Sequence, residues 1–196
     1  MPHNLPHHQP HVFELKTATN LHNVLEPGND PWQVELKDPA VSVMTDFRVR
    51  AMFKITPEET IDEALQKMKI AGLRIAFVKE KNSEKILGSV SSYDIMGEKP
   101  MRYLQSVGLE NRAITHKDVR VSDVMERIED WVVADMHDVE KANVQNILEA
   151  LQKCGKTHMP VVETLKGNET HLRGLFSSAK ILRLTETSRQ KAVKTK

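Results

Sequence analysis

Two matching strings, residues 88–94 and 174–180, carry the side chains best suited to binding chemistry. In the first string Ser91 follows a short apolar run, and Asp94 lies about one helical turn further on. A helix that starts at such a serine presents backbone N–H groups that suit a phosphate, and the Asp94 carboxylate can accept hydrogen bonds from both hydroxyls of a ribose. On this string alone, a capping box between Ser91 and Asp94 is the simpler interpretation.

The strings close two copies of one longer pattern, residues 60–78 and 143–161. Each copy begins at a helix cap, continues as an apolar stripe at helical spacing, ends the helix at a glycine and enters an apolar strand. Further strands are predicted at 86–90 and 172–176, and each is followed by a helix. The pattern predicts an α/β (α+β) fold of two β-α-β-β-α repeats, with any function lying between the copies.

Weaker signals predict the remaining elements. The runs 41–44 and 121–125 open the two copies, and the first is strand-like. A short helix is expected over 101–107, because Pro100 suits a first helical turn. Domain bounds follow: an N-terminal extension over 1–38, repeat 1 over 39–97, a connector over 98–119, repeat 2 over 120–187 and a basic tail over 188–196.

The extension is rich in proline and histidine. A polar tail is the preferred interpretation, because no carboxylate or thiol completes a metal site there. A metal-binding histidine tract is the alternative. Docking of the extension on the body is expected through a few apolar side chains: Phe13, Leu15, Leu21, Val24, Leu25 and Trp32.

Composition excludes several classes of function. The net charge of the 196-residue chain is +1, which does not indicate nucleic acid or a membrane as the main partner. One cysteine permits no intramolecular disulfide, and no signal peptide or membrane-spanning run is visible, so a cytoplasmic protein is expected. The sequence has no P-loop, zinc spacing or nucleophile elbow, and therefore an enzyme is not expected.

In its order of elements the chain resembles the tandem cystathionine β-synthase (CBS) domain pair, or Bateman module, and in particular stand-alone bacterial CBS-pair proteins. The residues that carry the resemblance are Val43-Met44-Thr45, Val124-Met125, Glu63-Ala64-Leu65 with Met68 and Gly72, Met159-Pro160-Val161-Val162, and the connector from Gly97 to Met101. The resemblance covers about residues 40–186. It implies pseudo-two-fold packing and a cleft that binds an adenosine-containing ligand: AMP, ADP, ATP or S-adenosylmethionine.

The resemblance also implies roles for individual residues. Asp94 would hold the ribose with Ser91 beside it. Val43 and Met44 would lie near the base, and Arg74 or Ala76 would line the sugar-phosphate path. In the second copy Ser177 matches, but Lys180 stands in the place of the ribose-binding aspartate. An ammonium has no acceptor for sugar hydroxyls, so that site should bind a nucleoside poorly. Lys180 would instead attract phosphate, and His158 either joins it or is a strand histidine that only packs or caps.

The sequence thus predicts a regulatory module, a homodimer through its helical faces, whose output passes to an unidentified effector protein. The alternative is a structural dimerisation or scaffold module that has no physiological nucleotide. No metal or catalytic residue is expected, and the partner is a small adenosine ligand rather than a membrane or nucleic acid.

Overall fold

The computed structural model describes residues 31–108, 114–165, 167 and 169–194. Its strands are β1 Thr45–Asp46, β2 Lys54–Ile55, β3 Ile75–Lys79, β4 Ile86–Ser91, β5 Glu126–Arg127, β6 Ala134–Asp135, β7 His158–Thr164 and β8 Thr170–Ser177. Its α-helices are α1 Ile61–Ala71, α2 Ser92–Met96, α3 Lys99–Gly108, α4 Val121–Val124, α5 Met136–Val139, α6 Val144–Cys154 and α7 Ser178–Lys194.

The strands form two four-stranded sheets of the same design. One has the order β2-β3-β4-β5 and the other, read from β6, has the order β6-β7-β8-β1. In each sheet the first pair is parallel and the other two pairs are antiparallel. The predicted fold of two β-α-β-β-α repeats is therefore confirmed.

The two repeats exchange their edge strands. β1, from the start of repeat 1, pairs with β8 of repeat 2, while β5, from the start of repeat 2, pairs with β4 of repeat 1. The hydrophobic cores follow the same exchange. The first core contains Val119, Val121 and Val124, and the second contains Ala40 and Val43. Each core is therefore completed by residues from the other repeat.

A glycine makes room for each exchanged strand. A Cβ on Gly88 would lie 2.1 Å from the carbonyl oxygen of Glu126 in β5, and a Cβ on Gly174 would lie 2.8 Å from that of Thr45 in β1. Both distances are shorter than a van der Waals contact allows. The glycine that opens each string of the sequence motif is thus required by the close approach of the exchanged strand.

Local helix signals are borne out. Thr60 and Glu63 form the predicted capping box of α1, and Gly72 ends this helix in the left-handed conformation. The segment 41–44 is not a strand, because Ala40–Val43 form a 3₁₀ helix that ends in extended Met44. The connector helix is longer than predicted, spanning Lys99–Gly108.

Trp32 does not dock on the body, since 90% of its surface is exposed. The other predicted docking residues and the histidine tract lie outside the described residues. None of the helices in the described part of the chain is long and apolar enough to cross a membrane.

Candidate ligand cavity between the repeats

A cavity of about 480 Å³ lies between the two repeats, within the range of roughly 300–1,000 Å³ usual for small-molecule sites. Repeat 1 and the start of the connector provide one side, consisting of Ile75, Ser89, Ser91, Tyr93, Asp94 and Lys99. Repeat 2 provides the other, consisting of Met125, Glu126, residues 130–132, residues 155–158 and Pro160. The cavity is therefore composite, and its shape depends on how the repeats pack.

Asp94 is held at the cavity by a capping box. The backbone N–H and the hydroxyl of Ser91 both donate to Oδ2 of Asp94, at 2.8 and 2.6 Å, and the Ser91 oxygen accepts from the N–H of Asp94 at 3.1 Å. The other carboxylate oxygen, Oδ1, lies 2.7 Å from the ammonium of Lys99. Both oxygens of Asp94 thus have partners, and each retains further acceptor capacity.

These partners keep Asp94 ionised. Burial by itself raises the pKa of the Asp94 carboxyl, but the hydrogen bonds from Lys99 and Ser91 outweigh it and lower the pKa below its ordinary value of 3.8. At neutral pH the cavity therefore presents a carboxylate with fixed orientation.

The backbone amides at this helix start are largely used. The N–H groups of Ser91 and Asp94 donate within the capping box, and that of Ser92 donates to the carbonyl of Arg74 at 2.8 Å. The sequence-based expectation that these amides grip a phosphate does not fit this arrangement, because α2 uses them for its own cap and for contact with β3. A phosphate in the cavity would have to meet side-chain cations instead.

His158 lies on the repeat 2 side, at the start of β7. Burial lowers the pKa of His158 from 6.5 to about 4; the negative charge of Asp94 opposes this shift and the positive charge of Arg74 adds to it. The imidazole is therefore neutral at pH 7, and its Nδ1 lies 3.0 Å from the Thr157 hydroxyl oxygen. A neutral ring can donate one hydrogen bond and accept one, but it does not provide a cation to attract phosphate.

A second ion pair and an apolar wall complete the cavity. Lys156 forms a salt bridge to Glu126, and both residues line the cavity from repeat 2. Trp131 packs edge-on against Phe77, with ring centroids 5.8 Å apart. Together with Ile75 and Met125, Trp131 provides an apolar surface that suits a planar base.

The remaining residues expected at the site occupy other places. Arg74 donates to the Tyr93 hydroxyl at 3.1 Å beside the cavity, whereas Ala76 is fully buried in the first core and its neighbour Ile75 lines the cavity. Val43 and Met44 do not accompany Asp94. Because of the strand exchange they belong to the second core, and Met125 of repeat 2 takes the expected place at the Asp94 cavity.

Lys180 lies with Met44 rather than with Asp94. Its ammonium donates to the carbonyl of Met44 at 3.4 Å, and Ser177 pairs with His158 across the sheet. The two copies of the string thus lie in different surroundings. Ser91 and Asp94 of the first string line the cavity between the repeats, whereas Ser177 and Lys180 of the second string do not.

Comparison with known proteins identifies a CBS domain in part of the chain. Residues 41–100 match the family model of the CBS domain. This match covers repeat 1 and the first residues of the connector, less than a third of the chain. The match ends within the connector, and repeat 2 has the same sheet order as repeat 1. No curated protein sequence matches this CBS-domain chain.

Comparison with solved structures finds one with the same fold and others that are similar. An uncharacterized conserved protein from Pyrococcus horikoshii aligns with a TM-score of 0.51 and 17% identity, over 80% of this chain and 96% of that chain. The CBS-pair protein CBSX2 from Arabidopsis thaliana aligns with a TM-score of 0.46 and 18% identity, over 78% and 96% of the two chains. A complex of CBSX2 with AMP aligns with a TM-score of 0.49 and 18% identity, over 79% and 98% of the two chains.

The sequence analysis missed several cavity residues, among them Lys99, Glu126 and Trp131. Lys99 was placed in the connector, and the other two follow the run 121–125 that opens repeat 2. A signal was present, since Glu126 follows Val124-Met125 just as Thr45 follows Val43-Met44. This match places Glu126 at the Asp94 cavity only if the starting segments of the two repeats exchange places.

Proposed function

We propose that the chain is a non-enzymatic, cytoplasmic regulatory module that binds one adenosine-containing ligand, of the class of AMP, ADP, ATP or S-adenosylmethionine, in the cavity between its CBS repeats. The observation that carries the proposal is the orientation of Asp94, an ionised carboxylate fixed by a capping box at the edge of a composite cavity with an apolar wall. Ribose hydroxyls would donate to Asp94, and the base would lie against Trp131.

Regulation would follow from the composite nature of the cavity. Asp94 belongs to repeat 1, whereas Trp131 and His158 belong to repeat 2. A ligand that contacts both repeats stabilises the arrangement in which both contacts form, and it shifts the conformational equilibrium by its differential affinity. An effector protein that recognises this arrangement would receive the signal.

We further propose that the module is a homodimer. A groove of about 370 Å³ among α1, α2 and α3 contains the apolar side chains of Leu65, Met96 and Met101. Met96 and Met101 are 63% and 57% exposed, which leaves an apolar surface for a second copy to cover.

The ligand proposal is tested by calorimetric titration with AMP, ADP, ATP and S-adenosylmethionine. Wild type should bind at least one of these with about one ligand per chain. Asp94→Asn keeps the shape of the side chain and removes its charge. A hydrogen bond to a charged group contributes about 1.5–3 kcal/mol, so this variant should bind at least about tenfold more weakly.

The chain offers a matched control for the loss of a capping box. Asp118 accepts from the N–H and hydroxyl of Thr115 at 2.8 and 2.7 Å, which reproduces the Ser91–Asp94 bonds at an exposed place outside the cavity lining. Asp118→Asn should therefore leave ligand affinity unchanged. Full affinity in Asp94→Asn would place the ligand elsewhere and contradict the proposal.

The second candidate function is a scaffold or dimerisation module without a nucleotide. It is favoured by the fact that both oxygens of Asp94 already have protein partners. Wild type that binds none of the four compounds, yet forms a stable dimer, would support this alternative.

A further inference from the structure

The ammonium of Lys99 binds the carboxylate oxygen of Asp94 to which a ribose hydroxyl would donate. Oδ2 of Asp94 is committed to the cap of α2 through two bonds from Ser91, so Oδ1 is the oxygen through which a ligand would bind most readily. Oδ1 is held by the Lys99 ammonium at 2.7 Å, and this ammonium also donates to the carbonyl of Val124 at 3.2 Å. Lys99 thus links α2, α3 and α4 at the edge of the cavity.

A diol that takes Oδ1 would compete directly with this ion pair. The Lys99 side chain is 44% exposed and that of Asp94 is 23% exposed, so the pair is partly removed from water and its loss is only partly offset by hydration. A ligand that brings its own negative charge gives the displaced ammonium a new partner. A ligand without negative charge gives it none.

The other cationic side chains at the cavity are engaged elsewhere. Lys156 is the second ammonium among the described lining residues, and it is paired with Glu126 on the repeat 2 side. Arg74 donates to Tyr93. The backbone N–H groups of Ser91, Ser92 and Asp94 are also used, as described above. Lys99 is therefore the cation that would lose its partner, the Asp94 carboxylate, when a ribose binds.

We propose that Lys99 is a displaceable counter-ion that makes the cavity select phosphorylated nucleosides over uncharged or cationic ones. The proposal rests on the proposed function, since it assumes that a ribose binds Asp94. On displacement the ammonium moves from Asp94 to the phosphate of the ligand, and the ion pair is exchanged rather than lost. AMP fits this requirement, adenosine lacks the phosphate, and S-adenosylmethionine carries a positive sulfonium at the matching end.

The test compares AMP, adenosine and S-adenosylmethionine by calorimetry in wild type and in Lys99→Met, which keeps the length of the side chain and removes its charge. Wild type should bind AMP at least about tenfold more tightly than adenosine, the effect of one charge-assisted hydrogen bond. In Lys99→Met, AMP affinity should fall and adenosine affinity should rise, because Asp94 is freed, so that the ratio of the two approaches one.

Two further variants separate charge selection from a loss of structure. Lys99→Arg keeps the cation and should retain the preference for AMP. Lys153→Met removes one exposed positive charge from α6, outside the cavity lining, and should leave the AMP-to-adenosine ratio unchanged. Loss of the preference in Lys153→Met as well would assign it to overall charge and overturn the role of Lys99.

The outcomes distinguish this proposal from the proposed function. If wild type binds none of AMP, ADP, ATP and S-adenosylmethionine, the proposed function is wrong and the role of Lys99 is wrong with it. If wild type binds AMP and adenosine equally well, or if Lys99→Met keeps the wild-type ratio, the adenosine site stands and only the selection by Lys99 is refuted.

Discussion

His158 makes folding stability depend on pH with a sign and a size that follow from its surroundings. Burial lowers its pKa from 6.5 to about 4 in the folded protein. Between these two values the unfolded chain binds a proton that the folded chain does not bind. Folding stability is therefore unaffected by His158 above about pH 6.5 and decreases as the pH falls towards 4.

The size follows from the shift. One pKa unit corresponds to about 1.4 kcal/mol, so His158 should reduce the free energy of unfolding by about 2 kcal/mol between pH 6.5 and 5, and by about 3 kcal/mol at pH 4. This is a large part of the roughly 5–15 kcal/mol that stabilises a typical domain. The lowered pKa of Asp94 acts in a separate window, because its stabilisation is lost only as the pH falls below 3.8.

Urea unfolding of wild type and His158→Gln at pH 7, 6 and 5 measures the effect. Glutamine remains uncharged at every pH, so the variant should lose about 2 kcal/mol less than wild type between pH 7 and 5. Loss of the Thr157 contact shifts stability equally at every pH and does not affect this difference. His171→Gln, at an exposed position of β8, is the control for removing an imidazole from the surface.

Equal pH dependence in wild type and His158→Gln would refute the reasoning. NMR titration provides an independent check, because the His158 imidazole should remain neutral down to about pH 4. Titration near its ordinary value of 6.5 would mean that water reaches the ring more freely than the packing of the cavity allows.

Two further outcomes are expected. Gly88→Ala should lower the melting temperature more than Gly174→Ala, because the new Cβ meets the Glu126 carbonyl at 2.1 Å in the first case and the Thr45 carbonyl at 2.8 Å in the second. Overpacking of this kind costs typically about 1–3 kcal/mol. Equal melting temperatures of the two variants would contradict the assigned close approach. Met101→Glu should convert a dimer to a monomer in light scattering, whereas Val49→Glu, at an 82% exposed site, should not. A dimer that persists in Met101→Glu would exclude the groove among α1, α2 and α3 as the interface.

Local interactions made much of the fold predictable. The capping box of Thr60 and Glu63 and the left-handed Gly72 are specified by side chains within one or two helical turns, so their signature is visible in any short window of sequence. The same holds for the Ser91–Asp94 box, which turned out to be both the simple capping motif and a lining element of the cavity.

The partners of Asp94 across the cavity were not predictable in this way. β1 and β5 have two residues each, too few for a periodic pattern, and they pair with strands far away in sequence. Assigning Val43 and Met44 to the Asp94 cavity assumed that each repeat keeps its own starting segment. The Lys99–Asp94 ion pair depends on how α3 follows α2, which no local pattern encodes.

The exchange of edge strands also constrains how the chain reaches its fold. Thr45 pairs with Leu175, and Ser89 pairs with Glu126, so neither sheet is complete until segments distant in sequence have met. During synthesis, the second core cannot close around Ala40 and Val43 until Phe176 and Ile181 have left the ribosome. Such non-local pairing slows folding relative to a chain of independent repeats. Until then the early segment 40–46 has no partner strand, so its capture by a second copy of the chain, giving strand-swapped oligomers, is the misfolding expected of this fold.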